Sequence, residues 1–84
     1  MKFYYITFRS VTFAQRGEAV LKRVGIGCQL QRTPKILAER GCGYCLRIRD
    51  RDALAAVTIL RERGVDYGKI YAIHEDGRAE ERVV

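Results

Sequence analysis

The sequence predicts an α+β fold of ferredoxin-like topology, β-α-β-β-α-β, with an antiparallel sheet and two helices on one of its faces. Three observations carry this reading. Two segments repeat apolar residues at spacings of three and four, each with a single apolar stripe. Four short runs between and around them have the aromatic content or the strict alternation of strands. The chain has 84 residues, 48% of them hydrophobic, which is enough for one core and too little for two. Residues 1–74 are read as one domain and 75–84 as a polar tail or hairpin arm.

Phe3 to Phe8, FYYITF, is the first strand, rich in aromatic and β-branched residues. Ser10 or Thr12 can cap the helix that follows, since either hydroxyl accepts an orphan N–H. Phe13, Gly17, Val20, Leu21 and Val24 share one face of that helix, and Gly25 is its natural stop. Ile26 to Arg32 alternates as a second strand until Thr33-Pro34 ends it, because proline cannot donate to a ladder. Lys35 to Gly41 connects, with room for one helical turn. Gly43 to Arg49 alternates again, Leu46 and Ile48 against Cys45, Arg47 and Arg49. This register turns Cys28, Leu30, Leu46 and Ile48 towards the helices and both arginines away. Asp50 or Asp52 is the expected cap of a second helix, with Ala53, Ala56, Val57, Leu60 and Gly64 on one face. Tyr67 to Ile73 is the fourth strand. Asp76-Gly77 is a hairpin signal whose second arm is highly charged, so an edge strand and a frayed tail fit it equally.

The composition excludes several classes. Disorder and low complexity do not fit the apolar content and a single proline. No apolar stretch is long enough to span a membrane, and the start MKFYYITF lacks the apolar core of a signal peptide. Three cysteines are an odd count, which with no secretory signal predicts reduced thiols and a cytoplasmic location. The net charge of +6 is spread over the chain and permits, without demanding, a nucleic-acid partner. The outward sheet face should carry large apolar groups as well as charges, so a homodimer through that face is expected.

The cysteines hold the candidate chemistry. Cys28 alternates with core residues and reads as a small core hydrophobe. Cys42 lies between Gly41 and Gly43, which leave its sulfur uncovered and its neighbouring N–H groups free. Between Arg32 and Arg51 there are six basic residues against two acidic ones, +4 of the chain's +6. That surplus, Arg40 and Arg47 included, favours the nucleophilic thiolate. From spacing alone, a loop cysteine without a role fits Cys42 equally well. Cys42 and Cys45 form a C-x-x-C, but three extended steps span roughly 10 Å, too far for a disulfide unless the glycines bend the chain. With Cys28 inward and Cys45 outward, the two cannot share a metal with His74, which reads as a surface residue, and no metal is expected.

With these residues in order, the chain resembles the family of selenium/sulfur carrier-like proteins. The matching pieces are YYITF, the helix ending LKRVGI, RTPKI, Cys42-Gly43 leading into LRI, and RGVDYGKIYAI, over roughly residues 3 to 74. The resemblance implies that Cys42 is a carrier thiol holding sulfur or selenium as a persulfide or perselenide, with Gly41 and Gly43 shaping its loop. It implies donor and acceptor proteins as partners and no cofactor, and a carrier more than an enzyme. Two features depart from the family pattern: Glu39-Arg40-Gly41 precedes the cysteine, and Cys45 is an addition. If Cys45 reaches Cys42, it would be a resolving thiol.

Two other readings differ in class. One is an interaction or oligomerisation domain without thiol chemistry. The other is an RNA-recognition module, since Arg40-Gly41-Cys42-Gly43-Tyr44 imitates the start of its third-strand signature. That register needs Tyr44 on the open sheet and would drive Arg47 and Arg49 against the helices, at a cost of several kcal/mol for unpaired buried guanidiniums. Nucleic acid is therefore not the expected partner.

Overall fold

The computed structural model of the chain describes residues 2–35, 37 and 43–82. Its elements are β1 (Phe3–Thr7), α1 (Val11–Arg23), β2 (Cys28–Arg32), β3 (Tyr44–Arg49), a 3-10 turn (Asp50–Asp52), α2 (Ala53–Glu62), β4 (Ile70–Ile73) and β5 (Ala79–Arg82). The strands form one sheet in the order β2-β3-β1-β4-β5, and every neighbouring pair is antiparallel. The first four strands have the order of a ferredoxin-like sheet, and β5 adds a fifth strand at the β4 edge.

The two faces of the sheet follow from the period-two alternation of side chains. Ile6, Leu46, Ile48 and Ile70 lie on one face, where they share a core with Ala14 and Leu21 of α1 and Ala56, Val57 and Leu60 of α2. Both helices therefore cover the same face. The sequence register holds here: Leu46 and Ile48 are buried, while Arg47 and Arg49 point away, opposite Tyr5 and Phe3 of β1.

Both helices end in the same way. Gly25 has φ +83° and Gly64 has φ +69°, the left-handed region that glycine enters without strain. After α1, Gly25 and Ile26 donate to the carbonyls of Lys22 and Leu21, at 3.1 and 2.9 Å. After α2, Gly64 and Val65 donate to those of Arg61 and Leu60, again at 3.1 and 2.9 Å. This is the Schellman arrangement, and it delivers Ile26 and Val65 into the core as each helix stops.

The helix starts differ. Ser10 caps α1 as expected, its Oγ accepting from the Phe13 N–H at 3.4 Å. The expected aspartate cap of α2 is not formed. Asp52 stands at the N-cap position but makes no capping hydrogen bond. Its carboxylate lies 3.7 Å from Arg51 Nε instead. The 3-10 turn leads the chain into the helix, leaving Asp52 in a helical conformation (φ −103°, ψ −2°) rather than the extended one usual at an N-cap.

Residues 79–82 pair with β4, so the charged arm is an edge strand. The turn is closed by His74 N–H to the Arg78 carbonyl and Gly77 N–H to the His74 carbonyl, both 2.9 Å. Asp76 holds Arg78 through both its backbone N–H and its guanidinium, and these bonds hold the Asp76 carboxyl below its usual range. Glu80, Glu81 and Arg82 place charges along the free edge, which discourages pairing with another chain.

Gly17 is the tightest point between α1 and the sheet. A Cβ there would stand 3.0 Å from Phe8 Cζ and 3.2 Å from Leu46 Cδ1. Glycine to alanine inside a helix ordinarily stabilises by about 0.5–1 kcal/mol. Here overpacking, typically about 1–3 kcal/mol, opposes that gain. Gly17→Ala is expected to lower the urea midpoint of unfolding, and a raised midpoint would show that α1 is free to lift from the sheet.

Candidate functional site

The β2–β3 connection runs from Thr33 to Gly43, and the sheet itself closes its neck. Beyond the last ladder pair, Arg32 opposite Tyr44, the Thr33 N–H donates to the Gly43 carbonyl at 2.6 Å. The Arg32 guanidinium lies over the Tyr44 ring, 5.6 Å from its centroid. Within the connection the Leu37 N–H donates to the Pro34 carbonyl at 2.9 Å, and Leu37 is buried. Thr33 Oγ1 is buried, with no hydrogen-bond partner among the described residues. An unpaired buried hydroxyl is uncommon, because desolvating it is costly. Gly43 is half-buried. Arg40, Gly41 and Cys42 lie outside the described residues.

Cys45 faces away from the helices, as its register with Arg47 requires, yet it is 0% exposed. The sequence predicts an outward position beside Arg47 with a thiol of intermediate reactivity. Leu37, Cys45 and Tyr71 are all buried without belonging to the helix-side core. The outward face is thus partly covered, which alternation alone does not reveal. The apolar run Ile36-Leu37-Ala38 in the connection is the available signal.

Cys28 is half-buried on the helix side, its Sγ 4.0 Å from the Glu18 carbonyl oxygen. Burial raises its pKa, the Glu18 carboxylate adds to the rise, and Lys22 partly opposes both. Cys28 and Cys45 therefore occupy opposite faces of the sheet. Among the described residues, no three His, Cys, Asp or Glu side chains converge as metal ligands. His74 pairs with Glu80 instead, Nε2 to Oε1 at 2.9 Å. No helix among the described residues is long and apolar enough to cross a membrane.

Arg47 is held from two sides. Its Nη2 donates to Gln29 Oε1 at 2.6 Å, and its guanidinium lies 4.5 Å from the centroid of the Phe3 ring. This fixes it on the outward face, four residues along β3 from Gly43.

A family model described as "Putative Se/S carrier protein-like" matches residues 3–72, which takes in β1 through most of β4 and the whole β2–β3 connection. The chain belongs to that family. No curated protein and no solved structure matches it. The matched range contains the sequence pieces that carry the resemblance, Cys42-Gly43 among them, up to Ala72 of the last one.

Because burial raises the Cys28 pKa, the folded protein holds that proton more tightly than the unfolded chain. The resulting stabilisation is complete below the free-thiol value of about 8.5 and is lost as pH rises through the folded-state value. The stability difference between wild type and Cys28→Ala is therefore expected to shrink at alkaline pH. Urea titrations of both proteins across that range measure it, and a pH-independent difference would place the thiol in water.

Proposed function

We propose that this chain is a cytoplasmic thiol carrier in which Cys42 takes up sulfur or selenium from a donor protein and passes it to an acceptor. The observation that carries this reading is the state of the other two thiols. Cys45 is fully covered, and Cys28 is half-buried with its thiol form favoured. A carrier needs an accessible sulfur in its thiolate form, and neither of these offers one. The family match and the basic residues Arg32 and Lys35 at the neck of the connection support Cys42 in that role.

The chemistry balances without a cofactor. The Cys42 thiolate attacks the outer sulfur of a donor persulfide R–S–SH. The S–S bond breaks, R–S⁻ leaves, and Cys42 becomes Cys42–S–SH. An acceptor thiolate then attacks that outer sulfur, takes it as its own persulfide and releases the Cys42 thiolate. Selenium follows the same path through a perselenide. Discharge by Cys45 would form a Cys42–Cys45 disulfide and release HS⁻. The burial of Cys45 opposes this route, so delivery to an external thiol is the step assigned. The unpartnered Thr33 hydroxyl at the neck of the connection is a spare donor for a sulfur anion.

The RNA-recognition alternative requires Tyr44 on the open face. Tyr44 packs against the helix-side core, and Arg47 and Arg49 are the outward residues. An interaction or homodimer module without thiol chemistry would be indifferent to the loss of Cys42.

Intact mass after incubation with a persulfide donor tests the reading. Wild type and Cys45→Ser are expected to gain one sulfur atom that a thiol reductant removes, and Cys42→Ser to gain none. Limited alkylation near neutral pH is expected to label Cys42 first, more slowly as added salt screens the basic surroundings. Labelling led by Cys28 or Cys45, or an unchanged mass gain in Cys42→Ser, would overturn it.

A further inference from the structure

The far end of β3 carries a second feature that the carrier reading does not use. Where β3 runs into the 3-10 turn, an open cleft of ≈ 400 Å³ is lined by Arg47, Arg49 and Arg51, with Phe3, Gly25 and Gly27 among its walls. Asp52 is the one carboxylate in the lining, 3.7 Å from Arg51 Nε. Among the described residues, neither Arg47 nor Arg49 is paired with a carboxylate. The polar partner of Arg47 is the neutral Gln29 amide. Three guanidiniums gathered against one carboxylate repel one another and attract an anion, and the walls of a cleft concentrate that field.

Gly27 adds an independent observation. Its φ is not positive, so the backbone does not require glycine there. A Cβ at Gly27 would meet nothing within 4 Å, so packing does not require it either. A Cβ there would stand in open space, and Gly27 is part of the lining of the cleft. The carboxyl end of α1, which would repel an anion, is muted beside it. Gly25 and Ile26 bond the carbonyls of Lys22 and Leu21, and Lys22 and Arg23 are cationic.

We propose that this cleft binds the phosphate of a small phosphorylated ligand of nucleotide size. Planar guanidiniums match phosphate oxygens with paired hydrogen bonds, and Arg47 is already oriented by Gln29 and Phe3. The volume exceeds what one phosphate fills and lies in the range of small-molecule sites. Arg47 and Arg49 of the cleft stand four and six strand steps, roughly 13 and 20 Å, from Gly43.

Titration of the full chain with AMP and with inorganic pyrophosphate at ~0.15 M salt, followed by NMR, tests the proposal. Saturable shifts are expected at the Gly25 and Gly27 amides and at the arginine Nε–H groups. Tighter binding of AMP than of pyrophosphate assigns an organic phosphate, and the reverse order assigns the anion alone. Arg49→Gln is expected to weaken binding about tenfold, the loss of one charge-assisted contact. Gly27→Leu is expected to abolish binding while leaving the unfolding midpoint unchanged or higher, and Cys42→Ser to bind as wild type. Binding indifferent to Gly27→Leu and Arg49→Gln, or no saturable binding at that salt, overturns the proposal. So does a single-stranded RNA that binds more tightly than AMP and shifts Tyr5 and Tyr71.

Discussion

The register of β3 is the constraint on which the rest of the structure depends. The strand has β2 on one side and β1 on the other, and Cys45 through Ile48 have partners on both. Leu46 lies between Leu30 and Ile6, and Ile48 between Cys28 and Tyr4. A slip of one residue would exchange these for Arg47 and Arg49 and press two guanidiniums against α1 and α2. The core has no carboxylate to meet them, since none of its buried residues is charged. Burying them unpaired would cost several kcal/mol, a large fraction of the stability of a domain this size. The alternation Leu46-Arg47-Ile48-Arg49 thus settles which face the helices cover.

The helices are fitted to that face by their ends. Each stops at a glycine with positive φ and sends the following branched residue, Ile26 or Val65, back under its own last turn. The chain leaves α1 already in the core and enters β2 two residues later. At Gly17 the helix backbone approaches Phe8 and Leu46 so closely that a Cβ would stand 3.0 and 3.2 Å from them, so α1 rests tightly on the sheet at the core.

Much of this was legible in the sequence. The strands, both helix stops and the Ser10 cap follow from alternation, glycine placement and a hydroxyl at the right spacing. The Asp52 cap did not, because side-chain chemistry alone does not show whether the preceding residues turn as 3-10. The fate of the charged last arm did not either. Asp76-Gly77 favours a hairpin, but the pairing of β5 also uses contacts such as Glu80 with His74 that have no sequence period. At the candidate site, alternation placed Cys45 on the right face and gave it the wrong exposure. A period-two pattern says which side a residue faces and nothing about what the chain lays over it.

The same register divides the basic charge of this region into two parts. Counted along the sequence, all six basic residues between Arg32 and Arg51 surround Cys42. In space β3 carries Arg49 and Arg51 away, and Arg49 stands six strand steps, roughly 20 Å, from Gly43. The Debye length in physiological salt is about 8 Å, so charges at that distance do little for a thiol beside Gly43. Arg47 is nearer, and it is engaged by Gln29 and Phe3 on the outward face. The cations that the described residues place at the neck of the connection are Arg32, stacked on Tyr44, and Lys35, one residue after Pro34. For the thiolate proposed above, so few charges leave local N–H and O–H donors as the main support, and the Thr33 hydroxyl, unpartnered among the described residues, is one that the neck supplies.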